Sequence, residues 1–340
     1  MFTFEKLYKM GHEEVVFFSD ESSGLKAIVA IHDTTLGPAL GGTRMWNYAN
    51  EEEALVDVLR LSKGMTYKAA AAGLNLGGGK AVIIGDPKTQ KSEALFRMFG
   101  AYVNSLNGLY ITAEDVGTTV KDMEYVFMET PYVTGIPKAF GGSGDPSPYT
   151  AHGVLTGIKA SVKRKLGADS LEGVRVTVQG LGNVGSHLVK YLTDHKAIVS
   201  IADIDATKTK MLAEKHGATA VSPDDIVTME TDVFAPCAMG AVINDQTISA
   251  LKCQVIAGGA NNQLAETRHG SALKELGILY APDYVINAGG LIYASMHHVG
   301  KSSADIASKT ADIAHTLDEI FAMSTSKNIP SSEVADHIAL

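Results

Sequence analysis

At 340 residues, with 45% hydrophobic and 20% charged side chains, the chain is long enough for two ordinary domains, each with its own core. Lys plus Arg number 29 against 38 acids, and the resulting net charge of -9 argues against a nucleic-acid partner. The cysteines are Cys237 and Cys253, without CxxC spacing, the start Met1-Phe2-Thr3-Phe4-Glu5-Lys6 lacks a signal-peptide core, and no apolar stretch reaches bilayer length, so a cytoplasmic location without membrane attachment is expected.

Residues 25–31 read as a short apolar strand. Asn50 is a plausible N-cap for a helix over residues 51–62, with Ala54, Leu55, Val58, Leu59 and Ser62 at helical spacing. The run Gly73-Leu74-Asn75-Leu76-Gly77-Gly78-Gly79-Lys80 follows, ahead of a strand at 81–84. Three glycines in a fixed loop are entropically costly, so a ligand or another backbone is expected to come very close there. A lysine at their end, shielded from water, can serve as a base. A helix at 92–106 carries Leu95, Phe99, Tyr102, Val103 and Leu106 on one face, and a strand at 109–112 ends at Ala113-Glu114-Asp115.

A Gly/Pro-rich passage from 135 to 148 breaks the periodicity and looks like a domain boundary. Beyond it, helices at 150–166 and 184–194 flank a strand at 174–179. Strands at 198–202, 233–235, 255–257 and 279–281 alternate with helical patterns, and 289–340 is mostly helical. That alternation predicts a parallel sheet with helices on both faces. Gly180-Leu181-Gly182-Asn183-Val184-Gly185 is GxGxxG between strand and helix, and Asp203 ends the next strand. In that setting Gly180 makes the turn, Gly182 admits a pyrophosphate, Gly185 lets helix and strand pack, and Asp203 receives the ribose hydroxyls. The fingerprint lies in the second half, so the substrate domain comes first.

The segment GLNLGGGKAVIIGDP (73–87) resembles the signature of the glutamate/leucine/phenylalanine/valine dehydrogenases. HDTTLGPALGGTRMW (32–46), GMTYKAA (64–70), YITAEDVGTT (110–119), GDPSPYTAHGV (144–154), IAGGANNQL (256–264) and YAPDYVINAGGLI (280–292) are similar to the branched-chain members of that family. The resemblance implies an α/β fold of two domains separated by a cleft. Residues 1–135 would form the substrate-binding and oligomerisation domain, with a helical segment at about 320–340 packing back on it. Residues 136–320 would form the Rossmann-like NAD-binding domain. It implies reversible NAD-dependent oxidative deamination of leucine, valine or isoleucine to a 2-oxo acid and ammonia, by a homo-oligomer.

By the same resemblance Lys80 is the catalytic lysine and Asp115 the acid that moves protons to and from the amine. Lys68 and Asn262 hold the substrate carboxylate, and Leu40, Gly41, Met65, Ala113, Leu291 and Ala294 complete the substrate site. Family members for leucine place valines at the positions of Leu291 and Ala294, so this pocket is reshaped. Thr150, Gly180, Leu181, Gly182, Asn183, Val184, Gly185, Asp203, Cys237, Ala238, Asn261 and Asn287 fall on the cofactor side, Thr150 at the nicotinamide carboxamide and Asn287 where the cleft closes. The sequence ends at Leu340, ahead of a tail that contributes to subunit contacts in relatives, which leaves oligomer size open.

The chemistry needs the same residue types. Hydride loss from the α-carbon produces an iminium; adding water to it needs a base, and releasing ammonia needs a proton donor. Other features read as structural. His297-His298 are adjacent, so they do not share a helix face, and no further ligand stands at metal spacing. Cys237 reads as a small packing residue and Lys163-Arg164-Lys165 as a solvated helix end. The rival readings are a dehydrogenase for aromatic amino acids, a 2-hydroxy-acid dehydrogenase, which the paired lysines oppose, and a non-catalytic NAD-binding regulator.

Overall fold

The computed structural model describes residues 4–238 and 240–339; Met1, Phe2 and Thr3 of the N-terminal stretch and Leu340 lie outside the described residues. The chain divides into two compact units. One runs to Asp145 and includes Ala294–Lys301; the other comprises Pro146–Tyr293 and Ser302–Ile338. The division thus falls within the Gly/Pro-rich passage, later than residue 135. Among the described residues no helix is long and apolar enough to cross a membrane.

The first unit opens with α1 (Phe4–Met10), the hairpin β1 (Glu14–Asp20) and β2 (Leu25–Asp33), and β3 (Ala39–Trp46). Helix α2 (Glu51–Ala71), β4 (Gly77–Ile84), α3 (Glu93–Ser105), β5 (Tyr110–Glu114) and α4 (Val120–Phe127) complete it. The five strands form a mixed sheet in the order β1-β2-β4-β3-β5. Strand β2 is apolar over residues 27–31 because both faces are covered there. Ile28 and Ala30 face Leu55, Val58 and Leu59 of α2, while Leu25, Val29 and Ile31 join Phe96, Phe99 and Val126 of α3 and α4.

Two sequence expectations change here. Helix α2 starts as expected, with the Asn50 side chain accepting from Glu53 N–H at 2.9 Å. It continues past Ser62 to Ala71, so Lys68 lies in its last turn rather than beyond it. The glycine run is not a loop but the first half of β4. A Cβ at Gly78 would overlap Thr66 N of α2, and one at Gly79 would stand 2.7 Å from the Tyr110 ring. The close neighbour is therefore the protein's own helix and sheet, which settle against a strand stripped of side chains.

The second unit contains α5 (Ser147–Leu166), β6 (Arg175–Gln179), α6 (Asn183–Asp194), β7 (Ile198–Ala202), α7 (Ala206–His216), β8 (Thr219–Ala220), β9 (Val233–Pro236) and β10 (Val255–Ile256). Next come α8 (Arg268–Glu275), β11 (Leu279–Tyr280), α9 (Asp283–Ile286), α10 (Gly289–His298), α11 (Ser303–Lys327) and α12 (Ser331–Ala339). Its six-stranded sheet runs β11-β10-β9-β6-β7-β8, parallel at every pairing. The order reverses direction at β6, the position where such sheets bind ligands at their carboxyl ends.

Residues 320–340 were expected against the first unit, but α11 and α12 pack within the second. The cause is an apolar stripe on α11, including Ile313 and Leu317, that meets α5 at Gly153 and Gly157: a Cβ at either glycine would stand 2.9 Å from an isoleucine or leucine methyl group of α11. Ser331 Oγ then donates to Tyr280 O at 2.6 Å and Tyr284 OH to Asp336 Oδ1 at 2.8 Å, tying α12 down.

Two glycines separate packing from propensity. Gly78→Ala should destabilise the protein by about 1–3 kcal/mol through overpacking. Gly64 lies inside α2 with open space around its Cβ position, so Gly64→Ala should stabilise by up to about 1 kcal/mol. Thermal unfolding of the two variants in parallel should give Tm shifts of opposite sign; equal shifts would remove the packing account.

Candidate active site and dinucleotide site

Lys80 is carried on the face of β4 that lies under α2, two residues after Gly78, and is buried. Its Nζ stands 2.9 Å from Asp115 Oδ2. The same oxygen receives Arg44 Nε of β3 at 3.3 Å, and Arg44 also reaches Asp57 Oδ2 of α2 at 2.9 Å. Tyr48 OH donates to Asp57 Oδ2 at 2.7 Å. Burial opposes ionisation of Asp115, but Lys80 and Arg44 outweigh it and hold the carboxyl down at about 2.

The backbone brings Asp115 there by a second close approach. A Cβ at Gly42 would stand 2.5 Å from Glu114 O and 2.9 Å from Asp115 Cβ. Only a glycine on β3 lets the Asp115 side chain cross that strand. Beyond it, Thr118 Oγ1 accepts from Asp115 N–H at 2.9 Å and donates to Thr43 O at 2.9 Å. Gly117, at φ +81°, allows Met45 N–H to bond Val116 O at 3.0 Å. The loop after β5 is thus stitched to β3.

Around this cluster, Leu40 is buried, Gly41 is crossed by Met65, whose Cγ would be 3.3 Å from a Cβ there, and Ala113 pairs with Gly42 in the sheet. Lys68 stands three residues after Met65 on α2, on a neighbouring helical position. Ala294 is buried and its carbonyl accepts from Thr134 Oγ1 at 3.1 Å. Leu291, one turn earlier on α10, is buried in the second unit.

In the second unit the glycine fingerprint joins β6 to α6. Gly180 adopts φ +94°, and a Cβ there would stand 2.6 Å from Ala238, so the turn after β6 meets the turn after β9. A Cβ at Gly185 would overlap Gly180 O and stand 3.4 Å from Cys237 Cβ. Gly182 differs: nothing lies within 4 Å of its Cβ position, and it caps α6 without a side-chain hydrogen bond. Gly182 and Asn183 are exposed, Val184 half-buried and Leu181 buried, so the first N–H groups of α6 open outward. Asp203 Oδ2 accepts from Leu181 N–H at 2.6 Å and Oδ1 from Asp205 N–H at 2.9 Å.

A second group of polar side chains forms beyond β10. Asn287 Nδ2 donates to Asn261 Oδ1 at 2.8 Å, while the buried Asn287 Oδ1 has no partner, as a ligand-directed amide would. Asn262 is exposed at φ +50°, a conformation asparagine tolerates. Its loop is pinned from below by Gln263, whose Nε2 donates to Gly258 O at 2.8 Å and Ala260 O at 3.0 Å. Thr150 Oγ1 bonds Pro146 O at 3.3 Å in the first turn of α5, and Gly290 packs against it. Cys237 is pushed up to about 11 by burial, consistent with packing rather than nucleophilic use. The open helix end, the bare Gly182 and the orphaned Asn287 oxygen fit a dinucleotide.

Comparison with known proteins identifies the family. The Glu/Leu/Phe/Val dehydrogenase dimerisation domain matches residues 12–132, and the Glutamate/Leucine/Phenylalanine/Valine dehydrogenase domain matches 141–208 and 205–334. The chain belongs to this dehydrogenase family. It is 55% identical over 336 residues to the leucine dehydrogenase of Geobacillus stearothermophilus, covering 99% of this chain and 92% of that one. Identity to the phenylalanine dehydrogenase of Lysinibacillus sphaericus is 49% over 330 residues, covering 96% and 87%. The crystal structure of L-tryptophan dehydrogenase from Nostoc punctiforme superimposes with a TM-score of 0.86 at 43% identity, covering 99% of this chain and 97% of the other. The protein is an amino-acid dehydrogenase with a nicotinamide cofactor domain.

Reading this dehydrogenase by motif missed Arg44, Asp57 and Tyr48, which complete the charge cluster. Arg44 lies inside a quoted run, but no local signal marks it, because its place beside Asp115 comes from the parallel pairing of β3 with β5. His297 and His298 end α10, and among the described residues no group of three or more His, Cys, Asp and Glu suits a metal ion. Lys163, Arg164 and Lys165 are exposed in the last turn of α5.

Because the Asp115 carboxyl is lowered from 3.8 to about 2, its stabilising effect is present above pH 3.8 and is lost as pH falls through about 2. Acid unfolding followed by circular dichroism should therefore show less loss of stability between those pH values in Asp115→Asn than in the wild type. Superimposable slopes would mean that the cluster contributes nothing to the acid limb.

Proposed function

We propose that this dehydrogenase catalyses reversible NAD-dependent oxidative deamination of branched-chain L-amino acids to 2-oxo acids and ammonia. The observation that carries the reading is the buried Lys80–Asp115 pair at 2.9 Å, in a chain whose leucine dehydrogenase relative is 55% identical over nearly its whole length. Bound nicotinamide supplies the hydride acceptor for the substrate's α-hydrogen. Lys68 provides the cation for the substrate carboxylate and Asn262 an amide donor. Asp115 Oδ2 takes a proton from the substrate amine and returns it to nitrogen as ammonia leaves. Lys80 Nζ, once it has given up its own proton, takes one from the water that adds to the α-carbon.

Leu40, Ala113, Leu291 and Ala294 offer no charge to a distal carboxylate, so glutamate would bury an unpaired charge. Relative to valine, Ala294 lacks two methyl groups and Leu291 adds a methylene, each worth about 0.8 kcal/mol of burial. The small difference keeps branched aliphatic side chains favoured and broadens tolerance for longer ones. Asp203 and Asp205 repel a ribose 2′-phosphate, favouring NAD over NADP. Self-association is supported by the match of residues 12–132 to a dimerisation domain, and a cytoplasmic location by the substrate and cofactor.

A panel of L-amino acids with NAD or NADP, following reduced cofactor and ammonia, tests the substrate and cofactor. Leucine, valine and isoleucine should lead and NAD should be strongly preferred; glutamate as best substrate, phenylalanine far ahead of leucine, or equal kcat/KM with NADP would overturn the corresponding part.

Lys80→Ala should lower kcat by ~10²–10⁴ through loss of the base while NADH binding, read by fluorescence, stays near wild type. Lys68→Ala should chiefly raise KM for the amino acid. Near-normal kcat in Lys80→Ala would make that lysine structural.

A further inference from the structure

The reading above gives Lys80 and Asp115 the proton transfers but leaves a difficulty in their geometry. A carboxylate held 2.9 Å from an ammonium stabilises the charged form of that partner. If Asp115 had Lys80 as its sole cation, each release of the Lys80 proton would strand a negative charge in a site only 22% exposed. The cluster contains the remedy. Arg44 Nε points at the same Asp115 oxygen, Oδ2, and a guanidinium keeps its charge throughout the pH range of the reaction.

Arg44 is also fixed independently of Asp115. Its Nη1 bonds Asp57 Oδ2 of α2 at 2.9 Å, and that oxygen is held from the other side by Tyr48 OH at 2.7 Å. Gly42, two residues before Arg44 on β3, opens the gap through which Asp115 reaches it. The charged and titratable groups around Asp115 are then Lys80 from β4, Arg44 from β3, Tyr110 and Glu114 from β5, Asp57 from α2 and Tyr48 from the turn before α2.

We propose that Arg44 is a positioning residue for the proton transfers, its guanidinium holding Asp115 in place and compensating the carboxylate when Lys80 is neutral. The inference rests on the roles given to Lys80 and Asp115. In this role Arg44 acts through Asp115 Oδ2, the carboxylate oxygen to which its Nε is bonded. Its fork bridges Asp57 and Asp115, whereas a lysine, as a single point charge, keeps the charge but loses the bridge.

Steady-state oxidation of L-leucine by the full-length enzyme with NAD, measured from neutral to alkaline pH, tests this with Arg44→Gln, Arg44→Lys and Asp115→Asn. Removing the fixed cation favours the protonated state of the Lys80–Asp115 pair, so in Arg44→Gln the rising limb of log kcat should move up by about one pH unit. Its kcat at neutral pH should fall by roughly 10² with leucine KM changed far less, the scale of a misplaced catalytic group. Arg44→Lys should keep the limb in place and recover part of that loss, with kcat about tenfold below wild type. NADH binding should match wild type in both, reporting a folded second unit. A loss in Arg44→Gln that is uniform across pH, or wild-type kcat in Arg44→Lys, overturns the proposal, and the second criterion stands even if Arg44→Gln does not fold. Asp115→Asn separates the two layers: wild-type activity there overturns the role of Asp115 itself, whereas an inactive Asp115→Asn beside an unaltered Arg44→Gln overturns only that of Arg44.

Discussion

Helix α2 rests on β4 at a distance that no side chain could share, since a Cβ at Gly78 would overlap Thr66 N. From this contact the rest of the first unit follows. It brings Asp57 of α2 within reach of Arg44, sets Met65 against Gly41, and puts the last turn of α2, with Lys68, on the sheet side that bears Lys80. Each glycine in β4 and β3 weakens the strand by its own propensity. The loss is offset by apolar burial on both faces of the sheet, where Val29, Val82 and Ile83 are fully enclosed.

The charge cluster is better explained by chemistry than by stability. At an effective dielectric near 20, two unit charges about 4 Å apart attract by roughly 4 kcal/mol, while removing each ion from water costs several kcal/mol. These terms largely offset one another and leave a modest gain at Asp115, so a tighter fold gives little reason to bury Lys80, Asp115 and Arg44 together. A site that must move protons does. In the proposed reaction the low-lying Asp115 carboxyl would release a proton readily to a departing amine, and the water-poor surroundings would strengthen every charge difference between protonation states.

The second unit applies the same backbone device to a different end. At Gly180 and Gly185 the missing side chains let the turn, helix α6 and the β9 turn close on one another, whereas at Gly182 the missing side chain leaves space. One motif thus contains glycines that pack and a glycine that stays open, and the open one stands at the helix N-terminus where phosphates are best received. Gln263 and Asn287 play the matching part at the other loop, presenting Asn261 and Asn262 from a hydrogen-bonded base.

The alternation of strands and helices and the site of the dinucleotide fingerprint were legible in the sequence, because they rest on local periodicity and on residues within a few positions of one another. Lys80 and Asp115, far apart in the chain, were singled out through the family resemblance. Strands β1 and β3 and helix α4 were not read, since β3 is half glycine and polar residues and owes its strand form to pairing with β4 and β5. The glycine run was read correctly as a close approach and wrongly as a loop: composition reports that something comes near but not whether it is a ligand or helix α2. Arg44 acquired meaning only when parallel pairing of β3 with β5 set it beside the residue that follows β5, and the attachment of α11 and α12 to the second unit depended on Gly153 and Gly157 of α5, more than a hundred residues upstream of them. Local chemistry is written in neighbouring residues, but which charges share an oxygen is decided by strand order and by the distance at which backbones can meet.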